Sequence, residues 1–367
     1  MSYITSIGIS NPEHRFAQQA IAHFMVKAMH LEENEARKLY ALYRATGIET
    51  RYSVLADYGR DSDFDFFPNN EALQPFPSTS QRLNLYKKYA IQLSVNSVTE
   101  CLAKFPSLKK EEITHLIVVS CTGMYAPGLD IDLVKSLDLN FSIHRTCINF
   151  MGCYAAFNAM KLANAFCTAD VNAKVLVVCT ELCSIHFQKE NTEDNLMANA
   201  LFADGSAALL IEANPRQGIN LKPINFHCDL ATHGEEKMAW SVGDQGFEMK
   251  LSTYVPEIIR SGIKKLTQSL LNEIAMEFSD VNYFAIHPGG KKILEVIEQE
   301  LNLSKNQNHF AYEVLKNYGN MSSPTVLFVL NAICHQLEEI DSGKNILSFA
   351  FGPGLTLESM LLKIKLH

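Results

Sequence analysis

Three polar side chains stand where short apolar runs of the chain end. Cys153 follows Gly152 in NFMGCYAAFNAM, His287 precedes Pro288-Gly289-Gly290, and Asn320 follows Gly319 in NYGNMSS. A thiol at the first turn of a buried helix meets unsatisfied N–H groups and a partial positive charge of roughly half a unit. That setting favours thiolate, and thiols so placed reach pKa values of about 3.5–7.5, especially beside histidine. A histidine fixed by a strand and a Pro-Gly-Gly turn can pair with such a thiolate or donate to a developing oxyanion. An amide beside glycine can aim a donor at negative charge. Each group also has a plain structural reading: a small buried hydrophobe for the cysteine, a hydrogen-bonded core residue for the histidine, and a turn residue for the asparagine. Cys121 and Cys179, which end apolar strands, keep the structural reading.

The elements that must position these groups alternate between strand and helix. ITHLIVVSC (113–121) is a short β-branched run that ends in the turn TGMYAPG, and DIDLVKSL is an amphipathic helix. HRTCINF is a strand leading into Gly152-Cys153, and a helix follows over 154–167. AKVLVVCTEL (173–182) is another buried strand, and ALFADGSAALLIEA (200–213) is a turn followed by a strand. The second half repeats the rhythm, with a helix over 255–277, a strand over 281–287, a helix over 291–301 and a helix beyond Gly319-Asn320. Two strands, NILSFAFG and TLESMLLKI, close the chain through Pro353-Gly354. This alternation predicts mostly parallel sheets covered by helices, and the shared rhythm of the halves hints at duplication. In open α/β sheets ligands meet the protein at such strand ends, so the three tips are candidates for one pocket. Upstream, MSYITSIGIS reads as a strand, 13–45 and 83–104 as helical. The segment 56–82, rich in Asp, Asn, Pro, Ser and Phe, reads as a long surface loop and a candidate lid.

With 367 residues the chain accommodates one large domain or two core-forming halves. A formal charge of −8 argues against a broad basic face, so no nucleic-acid partner is expected, while a local basic patch for an anionic cofactor stays possible. The nine cysteines form no C-x-x-C pair, which speaks against a zinc site or a disulfide framework and for a reducing compartment. The N-terminus lacks the pattern of a signal peptide. The least charged stretch, 113–129, is broken by His115, Gly123, Pro127 and Gly128, so no membrane insertion is expected and the cytoplasm is the default.

The ordered motifs MGCYAA, VLVVCTEL, LFADGSAALLI, AIHPGGKKIL, YGNMSSPTVLFVL and FGPGLTLESMLL, spread over 115–362, resemble those of chalcone-synthase-like type III polyketide synthases, with a looser match at TRYSVL near Arg51. The resemblance implies an α/β fold of the thiolase type, two related βαβαβ halves in a five-layered α/β/α/β/α sandwich that works as a homodimer. Residues 1–218 would form the half with the nucleophilic cysteine and the insertion 56–82, and 219–367 the half with the histidine and asparagine. It implies that Cys153 carries the starter and growing chain as a thioester. His287 and Asn320 would bind the malonyl thioester carbonyl, drive decarboxylation and hold the enolate. Phe202 matches the aromatic gate between coenzyme A tunnel and cavity, and Ser322 lies beside Asn320 in the same pocket. No metal or bound cofactor is implied, since coenzyme A thioesters are the substrates.

Departures from the plant pattern bear on substrate. The second gate phenylalanine falls at Met249, a small cavity glycine at Trp240, two cavity threonines at Cys183 and His186, and a methionine of the dimer interface at Ala126. Trp240 fills volume that an aromatic starter would use, and bacterial relatives that make alkylpyrones and alkylresorcinols commonly carry tryptophan there. A fatty acyl starter extended to pyrone or resorcinol products is therefore expected, with Ala126 opening a channel for the alkyl chain. Lys38, Arg44 and Arg51 are the candidates for coenzyme A binding. Two further basic positions of the family fall at Ala41 and Ala45, so either the charge has moved or the acyl donor sits on an acyl-carrier protein. The alternatives are a ketoacyl-carrier-protein synthase III, which condenses once, and a non-catalytic family member. A papain-like hydrolase would need a CGSCW-like context, which is absent.

Overall fold

Alternation of side chains along the strands sorts this chain into layers. The computed structural model describes residues 1–231, 237–252 and 254–367. Its first half runs β1 (Tyr3–Ser10), β2 (His14–Ala17), α1 (Gln18–Ala28), α2 (Glu33–Ala45), β3 (Thr50–Ser53), α3 (Thr79–Ala103), β4 (His115–Ser120), α4 (Leu129–Ser136), β5 (His144–Asn149), α5 (Ala155–Ala169), β6 (Lys174–Leu182), α6 (Glu193–Leu201) and β7 (Asp204–Glu212). The second half runs β8 (Ile219–Leu230), β9 (Met238–Gly243), β10 (Gly246–Leu251), α7 (Val255–Asn272), β11 (Tyr283–Ile286), α8 (Lys291–Leu301), α9 (His309–Tyr318), α10 (Thr325–Cys334), β12 (Asn345–Gly352) and β13 (Thr356–Leu366).

The main sheet reads β5-β4-β6-β7-β1 and continues, through the pair Ile4–Leu221, into β8-β13-β12-β11. β4 is parallel to β5 and β6, whereas β7 is antiparallel to β6 and β1. In the other half β11 is parallel to β12, and β13 is antiparallel to β12 and β8. The blocks β4-β6-β7-β1 and β11-β12-β13-β8 thus share one order and one sense, which is the structural form of the duplication. The expectation of mostly parallel sheets is corrected. β12 and β13 are joined through the short turn at Pro353-Gly354, and only antiparallel neighbours can be joined so tightly.

Side chains on one face of each sheet meet in a shared centre. Val175, Val177 and Cys179 of β6, and Met360, Leu362 and Ile364 of β13, pack there against Phe157 and Met160 of α5 and Val326 and Leu330 of α10. The opposite face of the first sheet, with Leu176, Val178 and Leu210, packs under α3. The opposite face of the second, with Leu347, Phe349 and Leu361, packs under α7 and α8. The order is therefore α3, sheet, α5 with α10, sheet, α7 with α8. α5 and α10 are buried on nearly every side, as a middle layer requires.

The segment 56–82 is not a loose surface loop. Asp57 is buried, and its carboxylate accepts the backbone N–H groups of Asp65, Phe66 and Phe67 at 2.9, 3.0 and 2.9 Å. Phe67 and Phe76 stack with centroids 5.8 Å apart, and both turn toward Phe187 in the core. The polar composition reports the outer face of this segment, and its phenylalanines are the anchors. Ser78 and Gln81 form a capping box that starts α3 at Thr79, four residues before the expected 83. The region 13–45 likewise opens with strand β2, which pairs with β3 before the helices begin.

Candidate active site

Cys153 sits one residue ahead of Tyr154, the N-cap of α5, at the edge of the middle layer. Its loop is forced. Gly152 takes φ +81°, and a Cβ there would lie 2.2 Å from Cδ of Pro353. A side chain on Gly352 would in turn meet the Tyr154 ring at 2.5 Å. The turn between β12 and β13 therefore clamps the cysteine loop, and only glycine permits the approach. The thiol is 2 % exposed. Burial pushes it up to about 12, although hydrogen bonds with Ser322 and Asn320 pull the other way. The expectation of a thiolate favoured by the helix N-terminus is thus reversed, because desolvation is the larger effect.

Asn320 sits in the turn between α9 and α10. Gly319 takes φ +69°, and a Cβ on it would lie 2.9 Å from the Arg51 side chain. The backbone of Asn320 donates to the Leu201 carbonyl at 2.9 Å and accepts from the Ala203 N–H at 2.9 Å, pairing it with Phe202 between α6 and β7. Its Oδ1 accepts the Ser322 N–H at 2.8 Å and lies 4.0 Å from the Cys153 Sγ. Its Nδ2 donates to the Gly289 carbonyl at 3.3 Å. Gly289 follows His287 by two residues and donates its own N–H to the His287 carbonyl at 2.9 Å. One carboxamide thus touches the cysteine and the turn that carries the histidine.

His287 ends β11, with its N–H donated to the Phe349 carbonyl at 2.8 Å. The ring is buried, and neither nitrogen has a hydrogen-bond partner among the described residues. Burial lowers its pKa to about 3, so the imidazole is neutral. Two orphaned polar atoms in a buried site are costly unless something else meets them, which marks a place for a ligand.

Of the other candidates, Phe202, Trp240, Met249, Cys183 and His186 line a common cavity. The Trp240 indole N–H donates to the Cys121 carbonyl at 2.7 Å, and Met249 faces Trp240 across the β9–β10 hairpin. The His186 ring stacks on Phe247 with centroids 4.2 Å apart. Its Nε2 lies 2.7 Å from the Thr122 carbonyl and its Nδ1 accepts the Phe247 N–H at 3.0 Å, which fixes the tautomer protonated at Nε2. Burial lowers its pKa to about 3. Ser322 belongs with Asn320 and Cys153 rather than with this cavity. Ala126 is exposed on the turn after β4, away from both.

The coenzyme candidates separate. Lys38 and Arg44 are exposed on α2. Arg51 is buried, with Nε on Gln18 Oε1 at 2.8 Å and Nη1 on the Asn199 and Phe202 carbonyls at 2.8 and 2.6 Å. The guanidinium thus braces the segment that carries Phe202, while its Nη2 has no hydrogen-bond partner among the described residues. Sequence reasoning also missed Glu181. It is fully buried, its Oε2 accepts from the Cys121 N–H at 2.9 Å and the Thr122 hydroxyl at 2.7 Å, and its Oε1 accepts from Ser323 at 2.6 Å. Burial raises its pKa, and its charge helps to raise that of Cys153. The signal was present as an acid inside the apolar run VLVVCTEL, since a buried carboxyl must find donors.

This fold and this site define a condensing enzyme of known type. Residues 1–215 match the family model for the N-terminal domain of chalcone and stilbene synthases, and 227–365 match that for the C-terminal domain. The chain belongs to that family: it is a type III polyketide synthase, an acyltransferase with the thiolase fold. It is 33% identical over 355 residues to the alpha-pyrone synthesis polyketide synthase-like Pks18 of Mycobacterium tuberculosis, covering 95% of this chain and 88% of the relative. It superposes on PKS-I of the brown alga Ectocarpus siliculosus with a TM-score of 0.91 at 30% identity, over 99% of this chain and 98% of that one. The C-terminal type III domain of Steely1 from Dictyostelium gives 0.90 at 30% identity, over 99% of both.

The resting thiol has a kinetic consequence. Alkylation of Cys153 by iodoacetamide, followed by mass spectrometry of its peptide, is expected to accelerate about tenfold per pH unit from 7 to 9, because the thiolate fraction rises with pH below a pKa near 12. A rate that is flat across that range would show a thiolate already formed.

Proposed function

We propose that Cys153 is the nucleophile and that His287 and Asn320 are the donors that stabilise the enolate. The observation that carries this reading is the carboxamide of Asn320, which lies 4.0 Å from the Cys153 sulfur and is hydrogen-bonded to the turn holding a neutral, unpartnered imidazole. In the loading step the Cys153 sulfur attacks the starter thioester carbonyl. The new C–S bond forms as the old one breaks, and the thiol proton leaves with coenzyme A. In extension, malonyl-CoA loses carbon dioxide and leaves an enolate whose oxygen needs donors in a dry site. Neutral imidazole and amide N–H groups meet that need without placing a second anion there. The enolate carbon then attacks the Cys153 thioester, and the sulfur is released from the acyl carbon. Coenzyme A thioesters serve as substrates and no bound cofactor is required.

The reading of a fatty acyl starter and pyrone or resorcinol products is supported by Trp240, which is locked by its indole hydrogen bond, backed by His186 and Phe247, and takes volume that an aromatic starter would use. The similarity to a relative described as an alpha-pyrone synthase supports the same reading. The working form is a homodimer: β5 is an open edge strand with an exposed face, and Met124 and Phe141 are exposed at 44% and 85%. A cytoplasmic setting fits nine unpaired cysteines, and no described helix is long and apolar enough to cross a membrane.

Three measurements test this reading. Asn320→Ala or Asn320→Asp is expected to lower malonyl-CoA decarboxylation by about 10²–10³-fold, the worth of one oxyanion donor, with far less effect on single-turnover acyl loading of Cys153. Equal losses in both steps would sink the assignment. With a ladder of acyl-CoA starters, mass spectrometry is expected to show multiply extended products from long alkyl starters, and Trp240→Gly to shift starter range or product length. An unchanged profile would mean that Trp240 does not bound the cavity. Sedimentation equilibrium is expected to give twice the mass of one chain, and a monomer at micromolar concentration would contradict the dimer.

A further inference from the structure

Arg51 belongs to β3, in the half of the chain that carries Cys153, yet its side chain packs against Gly319 of the other half, where a Cβ would lie 2.9 Å from both its Cγ and its Cδ. Burial lowers its pKa, but a guanidinium stays protonated in a protein at neutral pH. A buried cation is ordinarily met by a carboxylate. Asp204 acts on this one through space, but its own oxygens accept the N–H groups of Val54 and Ser184, each at 2.8 Å. The donors of Arg51 go instead to neutral acceptors, the Gln18 amide oxygen and the carbonyls of Asn199 and Phe202. Gln18 in turn donates from Nε2 to the Ala200 carbonyl at 2.8 Å, so the pair holds the end of α6 and the residue after it from one side.

The bond to Phe202 carries the inference. At 2.6 Å it is the shortest of the three, as befits a charged donor. The carbonyl that accepts it shares a peptide group with the Ala203 N–H, and that N–H donates to the Asn320 carbonyl at 2.9 Å. Positive charge at the oxygen of a peptide draws electron density from its nitrogen and makes the N–H a stronger donor. The Asn320 N–H returns to the Leu201 carbonyl at 2.9 Å. Arg51 therefore grips Asn320 twice without touching its carboxamide: by contact with the glycine before it, and through one polarised peptide.

We propose that Arg51 is a positioning residue for malonyl decarboxylation, which sets the Asn320 carboxamide through the Phe202–Ala203 peptide, with Gln18 fixing the plane of the guanidinium. The proposal rests on the reading of Asn320 as a donor to the enolate. It separates by experiment from coenzyme binding, the role expected of Arg51 from the family resemblance. Contact between its Nη2 and a phosphate acts on substrate affinity, whereas placement of Asn320 acts on the rate of the bound substrate. A displacement of about 1 Å in a group that meets the transition state costs about 10²-fold. Lysine keeps the charge but presents its donors from one nitrogen, so it cannot serve Gln18, Asn199 and Phe202 together.

The test measures steady-state malonyl-CoA decarboxylation and single-turnover acyl loading of Cys153 in the wild type, Arg51→Lys, Asn320→Ala and the double variant. Arg51→Lys is expected to lower kcat for decarboxylation by about 30–100-fold, with KM for malonyl-CoA and the loading rate each within about threefold of the wild type. In the Asn320→Ala background the same substitution is expected to cost less than about threefold more, because the group it positions is gone. Gln18→Met leaves Arg51 in place and removes the acceptor of its Nε. It is expected to show the same pattern at about fivefold, and it carries the test where Arg51→Lys does not fold. Losses that multiply in the double variant, or loading that falls as far as decarboxylation, would reduce Arg51 to a general support of the fold and overturn the proposal. A KM raised about tenfold with kcat unchanged would overturn it in favour of phosphate contact. Undiminished decarboxylation in Asn320→Ala alone would instead strike the enolate-donor reading on which the proposal rests.

Discussion

The main-chain pairing of Asn320 with Leu201 and Ala203 is the constraint on which the site depends. It is a single parallel bridge between two loops, and it joins the halves of the molecule at the point where their sheets offer nothing else. Through it, the residue that touches Cys153 is fixed to the segment carrying Phe202. Arg51 holds that segment from behind by taking the Asn199 and Phe202 carbonyls. A buried arginine is expensive to desolvate, and burial lowers its pKa here. The cost goes with a gate whose backbone cannot drift relative to the asparagine. The glycines at 152 and 319 serve the same end, since a side chain on either would push apart elements from opposite halves.

Desolvation sets the charge states of the site. The thiol is raised and both imidazoles are lowered, so sulfur and rings are all uncharged at neutral pH. Neutral donors suit an enolate, whose charge appears only during reaction. Glu181 lies nearby and is held by hydrogen bonds from Cys121, Thr122 and Ser323. It thereby fixes the loop after Asn320 to the end of β4. The cluster is best understood as a dry set of dipoles arranged before substrate arrives.

Much of this was legible in the residues. Cys153, His287 and Asn320 each stood at the end of an apolar run, and the runs themselves became β5, β11 and the flanking helices. The five cavity residues Phe202, Trp240, Met249, Cys183 and His186 converge on one space, although they come from four separate elements. What was not legible has physical reasons. β8 contains Pro223, which argues against a strand, yet it sits next to the register shift opposite Leu361 and Leu362, where a proline is tolerated. The β9–β10 hairpin is short and half-exposed, so its alternation is weak. Segment 56–82 hid its anchoring phenylalanines among polar residues. The bracing role of Arg51 was hidden because no local pattern shows that its partners, Gln18, Asn199 and Phe202, come from distant elements.

The repeated strand order leaves one asymmetry. β5 continues the first sheet beyond β4, while the second sheet stops at β11, a short strand that is largely buried. Both ends of the main sheet are edge strands, but β5 carries exposed residues along its length, whereas β11 is four residues long and largely buried. Like edges of two copies pair across a twofold axis. If copies pair through β5, the short and covered β11 gives the pair little edge on which to grow further.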